Sequence, residues 1–358
     1  MYIKISSGIL ILFGLLMIYS SSYVWAKYKF NNGFHYVLYQ SMFLLLGLFI
    51  LKFVKKIDLD FLKKKSNLFL FISIMLLILV SIPGIGTLRN GSRSWFSIGP
   101  VGFQPSELSK IVLIIFVSKY LEKYHNKINH IKTNLLPIIL IVLLVIFLIM
   151  LEPDFGTSMV IILTITSMLF SSGLKYKFFG IMGIIGLLGI STIIIVAPYR
   201  MARIISFINP WKDPLGSGYQ IIQSLYAIGP GGLFGHGLFS SVQKYFYLPE
   251  PQTDFIFAIL CEELGFLVAF IVIILFIIFF YNIFIIGIKE EDLFRKFLVI
   301  GIGSSLAIQT VMNLSVVVGL VPVTGVTLPF FSYGGSSLVV SLVCLGIILN
   351  VSDNKKYL

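Results

Sequence analysis

The chain has 358 residues, of which 58% are hydrophobic and 12% charged, with 33 Phe and a mean hydropathy of +0.99. Soluble domains carry about 25% charged residues, so a soluble fold is excluded, and the lack of short alternating segments excludes a β-barrel. A formal net charge of +12 could suggest a nucleic-acid partner, but the cations sit in loops between apolar runs, which excludes that reading.

Ten apolar segments are expected, at roughly 8–26, 36–54, 67–83, 105–121, 134–151, 155–172, 178–197, 253–287, 297–320 and 329–351. Runs of about 20 residues cross a hydrocarbon core of about 30 Å as helices, which satisfy their own backbone. The expected fold is therefore an all-α, polytopic membrane bundle of about ten transmembrane helices, forming one domain over residues 1–358. The first run resembles a signal peptide but is long and followed by many others, so it reads as an uncleaved helix. Cys261 and Cys344 lie inside apolar runs and read as small core residues, and His35, His125, His130 and His236 lack metal-ligand spacing.

Ten spans put both termini on one side, and the positive-inside rule says which. With a cytoplasmic N-terminus, that side collects Lys4, the cations of 52–65, 119–132, 175–177 and 289–296, and Lys355 and Lys356, which is 18 of the 27 basic residues. Both termini are therefore expected in the cytoplasm. The long loops at about 84–104 and 198–252 then face outward, the second lying between spans seven and eight. Loops of that length are functional or disordered, and this one is too aromatic for disorder. An apolar helical run from Ile221 to Ile228 leads into PGGLFGHGLFSS, which reads as an interfacial or re-entrant helix followed by a glycine-rich turn.

Charged residues gather at that outer side. In QPSELSK, Pro105 suits a first helical position, Glu107 the first turn, and Lys110 follows at i+3 on the same face. The sequence LEPDFGTS places Glu152 and Asp154 around Pro153 in a tight turn. The stretch from Tyr245 to Gly265 carries Glu250, Asp254, Glu262 and Glu263 into a long apolar helix. Acids in the first turn of a helix are favoured by its dipole, so each cluster has a capping reading beside a functional one. Glu262 and Glu263 lie two turns deeper than Asp254 and should face protein or water. Ser332 and Tyr333 precede the small-residue face Gly334 to Ser337, which suits close helix packing or a polar cavity. Arg93, Arg200 and Arg203 are outer cations, suited to surface anchoring or to binding phosphate. No Walker loop, zinc signature or Ser-His-Asp arrangement is present. A transporter would hold its charges near the midplane, whereas an outer cluster suits an amphipathic substrate whose polar head is processed outside the bilayer.

Five segments carry a resemblance: RSWFSIGPVGFQPSELSK (93–110), EPDFGTS (152–158), NPWKDPLGSGYQIIQSLYAIGPGGLFGHGL (209–238), YLPEPQTDFIFAILCEELGF (247–266) and GLVPVTGVTLPFFSYGGSS (319–337). In these the chain resembles the SEDS family (shape, elongation, division and sporulation), and its wording is nearer to the FtsW and SpoVE branch than to RodA. His236 and Cys261 depart from the family wording, and no acidic position does. The resemblance implies a peptidoglycan glycosyltransferase of the bacterial cytoplasmic membrane that polymerises lipid II at the outer leaflet. It also implies a class B penicillin-binding transpeptidase and other cell-wall machinery as partners, in division or sporulation. The family's catalytic aspartate falls on Asp254, its glutamate and lysine of the fourth helix on Glu107 and Lys110, and its acidic turn on Glu152 and Asp154.

Inverting transfer from a lipid diphosphate needs a base for the incoming hydroxyl, which Asp254 would supply. Charge on the leaving diphosphate would be met by Lys110, Arg93, Arg200, Arg203 or a divalent cation, magnesium or manganese. Asp154, Glu263 and Ser332 would support the site. Two rival readings remain open: a lipid II flippase or lipid transporter, and a non-enzymatic scaffold for the transpeptidase.

Overall fold

The computed structural model describes residues 2–89, 91–99, 101–196 and 198–354. Its helices are α1 (Tyr2–Phe30), α2 (His35–Val54), α3 (Leu59–Ser81), α4 (Pro105–Tyr124), α5 (Leu136–Leu151), α6 (Phe155–Ser171), α7 (Tyr176–Val196), α8 (Pro198–Ile208), α9 (Tyr219–Ile228), α10 (Ile256–Lys289), α11 (Leu293–Val317) and α12 (Gly335–Asn354). Among the described residues, seven helices are long and apolar enough to cross a membrane, and α6 is a shorter apolar helix.

Where the termini of these helices have local chemistry, it is the expected kind. Asp58, Asp154 and Asp292 each cap the helix that follows by accepting a backbone N–H, and Pro105 opens α4 at its first turn. The helix surfaces are inverted relative to a soluble protein. In α2 the exposed apolar residues are Leu38, Met42, Leu45, Leu46, Leu48, Phe49 and Phe53, a broad apolar face that suits lipid. The centre is built on α4, buried without interruption from Ser109 to Ser118, and on α11. Small polar contacts join neighbours where lipid gives no hydrophobic drive: Ser73 to Ser109 at 2.7 Å (α3 to α4), Ser167 to Ser304 at 2.8 Å (α6 to α11), and Ser224 Oγ donating to Val317 O at 2.7 Å (α9 to α11).

The structure departs from the sequence expectation in four places. The all-α reading is corrected by a small antiparallel sheet of β1 (Thr87–Arg89), β2 (Ser92–Ile98) and β3 (Val101–Phe103), in the order β1-β2-β3. Its register pairs Thr87 with Trp95, Phe96 with Phe103 and Ser97 with Gly102. The strands reverse around Gly91 and Gly99, so alternation in SRSWFSI is a hairpin signal within what reads as a loop. The loop at 198–252 holds two helices, α8 as well as the expected α9. The eighth segment begins at Ile256, leaving Asp254 in the turn before it, and the last helix begins at Gly335, leaving 318–334 as irregular chain.

One end of the bundle is rich in lysine. There Lys4 and Lys55 bridge to Asp353 at 3.6 and 2.5 Å, and Lys63 to Glu122 at 2.6 Å. Asn350 Nδ2 donates to Val54 O and Ile57 O beside them. The opposite end gathers the sheet, the α5–α6 turn, the start of α10 and the 318–334 segment, held together by hydrogen bonds.

Candidate active site

Asp254 lies in a turn pinned from several directions. Phe255 and Ile256 beyond it are fully buried and anchor the start of α10. Before it, Thr253 N–H donates to Glu250 O at 3.1 Å, and Tyr333 N–H donates to Gln252 O at 2.9 Å, tying the turn to the 318–334 segment. The Asp254 carboxylate accepts from Thr253 Oγ1 at 2.7 Å, and its main-chain carbonyl accepts from Asn313 Nδ2 at 2.8 Å. The side chain is partly exposed. Asp254 precedes the N-cap residue Phe255, and α10 has no side-chain cap at that position, so Asp254 is not the N-cap of α10.

The helix that follows is broken at Gly265, whose φ of 73° and ψ of −176° belong to a region that only glycine enters readily. A break frees backbone groups that must find partners. The glycine-rich stretch after α9 supplies them: His236 and Gly237 N–H donate to Glu262 O and Glu263 O at 3.0 and 2.8 Å, while Phe266 and Leu267 N–H donate to Gly232 O and Leu233 O at 2.9 and 3.2 Å. The approach is close enough that a Cβ on Gly235 would fall 2.2 Å from Glu263 O. The two acids beside the break face protein, as depth demanded. Glu262 accepts from Ser241 Oγ at 2.6 Å and Val242 N–H at 2.7 Å. Glu263 accepts from Ser20 Oγ, from Ser241 N–H at 3.2 Å and from Lys244 Nζ at 2.8 Å. Glu263 is thus occupied in fixing the 239–248 loop that leads to Asp254. Lys244 is itself buried in that pair.

Glu107 and Lys110 form the expected i, i+3 pair at 2.9 Å, with both side chains less than a tenth exposed. Lys110 Nζ also donates to Gln309 Oε1 at 2.8 Å, so at most one of its three N–H groups is left for another acceptor. Beside this pair, Asp154 caps α6 through Thr157 N–H at 3.0 Å and accepts from Gln104 Nε2 and Ser106 Oγ, both at 3.1 Å. It therefore locks the α5–α6 turn to the start of α4. Glu152 is fully buried and neither carboxylate oxygen has a hydrogen-bond partner. Burial, and secondarily the Asp154 charge, push its carboxyl up to about 9, so it is neutral at pH 7.

Among the remaining expected residues, Ser332 is buried and its Oγ accepts from Leu328 N–H at 2.9 Å while its carbonyl accepts from Gln40 Nε2 at 3.1 Å. Its hydroxyl closes a turn. Arg93 lies on β2 with Nη1 buried and unpartnered. The side chains of Arg200 and Arg203, on α8, lie outside the described residues. Sequence reasoning missed Gln309 and Asn313, buried amides one turn apart on α11, and the roles of Gln104 and Ser106. The signal was there: uncharged amides inside an apolar span need partners as much as charges do. What the geometry offers is a partly exposed carboxylate on a braced turn, and a neutralised lysine joined to it by buried amides.

Comparison with known proteins identifies relatives that match along nearly the whole chain. The family profile described as Cell cycle protein, FtsW/RodA/SpoVE, matches residues 2–357. Stage V sporulation protein E of Bacillus subtilis is 47% identical over 349 residues, covering 98% of this chain and 95% of that protein. The probable peptidoglycan glycosyltransferase FtsW of Coxiella burnetii is 39% identical over 355 residues, covering 98% and 95%. Among solved structures, one described as structural coordination of polymerization and crosslinking by a peptidoglycan synthase complex aligns with a TM-score of 0.80 at 28% identity, covering 99% of this chain and 97% of the other. The rod shape determining protein RodA of Thermus thermophilus aligns with a TM-score of 0.73 at 27% identity and the same coverage. The chain belongs to the FtsW/RodA/SpoVE family, the SEDS proteins that its motifs resemble.

Proposed function

We propose that this protein is a multi-pass peptidoglycan glycosyltransferase of the bacterial cytoplasmic membrane that polymerises lipid II into β-1,4 glycan at the outer face. In this reading the whole chain is one domain of ten spans, both termini and the lysine-rich end are cytoplasmic, and the 198–252 segment lies outside. A class B penicillin-binding transpeptidase, with other cell-wall proteins, is the partner that would cross-link the product, in division or sporulation. The observation that carries the reading is Asp254: a partly exposed carboxylate on a turn braced at both side chain and main chain, at the same end of the bundle as the Glu107–Lys110 pair.

The chemistry follows from that placement. The acceptor sugar hydroxyl attacks the anomeric carbon of the donor from the side opposite the diphosphate. Asp254 takes the hydroxyl proton as the new C–O bond forms, and the bond to the diphosphate breaks with inversion, its electron pair leaving with the lipid diphosphate. Lys110 can direct its remaining N–H, and Arg93 its unpartnered Nη1, toward negative charge that develops nearby. Arg200 and Arg203 are the further cations that the sequence reading proposes for that role. Among the described residues no three His, Cys, Asp or Glu side chains cluster, so magnesium or manganese would enter with the substrate, held chiefly by the diphosphate through few protein ligands. When bound it would neutralise charge on the leaving group.

The test is glycan synthesis from purified lipid II by the full chain in vesicles, with and without the transpeptidase. Positioned bases contribute about 10²–10⁴ in rate, so Asp254→Asn should cut polymer yield at least about 100-fold while its thermal melt stays unchanged. Robust polymer from that variant sinks the assignment. Leaflet exchange of fluorescent lipid II by the native chain without any polymer would establish a flippase instead.

A further inference from the structure

The α11 helix is apolar or small along most of its inner face, yet carries two amides one turn apart. Gln309 is 2% exposed and Asn313 0%. Each amide holds two things. Gln309 accepts from Lys110 Nζ at 2.8 Å and donates through Nε2 to Thr327 O at 3.0 Å. Asn313 donates through Nδ2 to Asp254 O and to Val326 O, both at 2.8 Å. Adjacent residues of the 318–334 segment, Val326 and Thr327, are thus gripped by adjacent turns of α11, and the free hand of each amide reaches one of the two charged clusters. Thr327 Oγ1 continues the chain to Ser337 Oγ at 2.9 Å, at the start of α12.

The orientation of Asn313 follows from its partners: both are carbonyls, so both require the NH₂ group. Its Oδ1 is then left buried without a partner, which costs stability because a desolvated acceptor goes unpaired. A leucine there would avoid that cost. What the amide provides is a fixed Asp254–Phe255 peptide plane, and that plane sets the direction in which the Asp254 side chain leaves the backbone. Thr253 fixes the carboxylate itself, and Asn313 fixes the platform from which it projects.

We infer that Asn313 is a positioning residue for the base Asp254, and that with Gln309 it holds Asp254 at a set distance from the Glu107–Lys110 pair. The inference rests on the base reading of Asp254 given above. Displacements of about 1 Å at a reacting group cost about 10²-fold in rate. Asn313→Leu, which keeps volume but has no donor, should therefore lower kcat about 10–100-fold with KM for lipid II within about twofold. Because proton transfer becomes slower relative to other steps, the solvent deuterium isotope effect on kcat should rise, which a smaller folded fraction alone cannot cause. Asn313→Asp, protonated in this buried site, retains one O–H donor and should be more active than Asn313→Leu.

The experiment is the lipid II polymerisation assay on the full chain in vesicles, in H₂O and D₂O, for native protein, Asn313→Leu, Asn313→Ala, Asn313→Asp and Asp254→Asn. An inactive Asp254→Asn alongside the graded loss and raised isotope effect supports the inference. An inactive Asp254→Asn alongside native kcat in Asn313→Leu overturns it and leaves the base reading standing. Should Asn313→Leu fail to fold, Asn313→Ala, which also lacks a donor, decides: native kcat and isotope effect in that variant overturn it as well. An active Asp254→Asn removes the base reading and this inference with it.

Discussion

Replacing Lys244 by methionine tests whether the buried pair with Glu263 holds the route to Asp254. The ammonium lies 2.8 Å from Glu263 Oε1 and 2.7 Å from Phe239 O, and the two side chains are 4% and 0% exposed. Breaking a buried pair by removing one partner costs about 3–5 kcal/mol, because the other charge is left uncompensated. Here Glu263 keeps Ser20 Oγ and Ser241 N–H, and methionine fills most of the lysine volume, so the low end, about 3 kcal/mol, is expected. With an unfolding entropy of about 2.1 cal/mol/K per residue over this chain, that is a fall in Tm of about 4 °C. Thermal melts of detergent-purified protein measure it, and polymer yield should fall as well, because the 239–248 loop feeds the turn that carries Asp254. The double variant Lys244→Met with Glu263→Gln removes the stranded charge and should recover at least about 1 kcal/mol. A Lys244→Met melt within 1 °C of native, or a double variant no more stable than the single, would refute the reasoning.

Two further substitutions probe neighbouring features. The Glu152 carboxyl, pushed up to about 9 from 4.5 by burial and then by Asp154, holds a proton in the folded state that the unfolded chain releases near pH 4.5. Its contribution to stability is therefore fully present below about pH 4.5 and is lost as pH rises toward 9. Melts at pH 5, 7 and 9 should show native protein declining relative to Glu152→Gln, and parallel curves would remove the claim of a neutral buried acid. Gly265→Ala would place a Cβ 2.4 Å from Gly235 N and 2.6 Å from Leu233 O, at a backbone conformation that itself costs about 1–3 kcal/mol. Much less folded protein on size exclusion is expected, and a native melting curve would mean that the break in α10 is not needed.

Much of this architecture is legible residue by residue. Ten apolar runs correspond to α1–α7 and α10–α12, because hydropathy over about 20 residues is a local property. The Glu107–Lys110 pair follows from i, i+3 spacing on one helix, and α9 from its apolar period. Asp254 stands out because an acid at the edge of a long apolar run demands a reason. Reading it as a residue of the helix itself failed, since two prolines and a threonine turn displace the helix start to Ile256.

What the sequence by itself determined is which segments form long apolar helices, which end of the bundle collects lysine, and which acids stand at the other end. Composition and spacing act within a few turns of one chain segment, and those features need nothing more. Only the tertiary structure decided that α10 breaks at Gly265 against the glycine-rich loop, that Glu263 belongs to Ser20 and Lys244, and that Asn313 holds the Asp254 main chain from 59 residues away. Each of these is the satisfaction of a buried polar group. Such a group in a membrane bundle must be paired by whatever the packing of other helices brings to it, and that partner is written nowhere in its own neighbourhood.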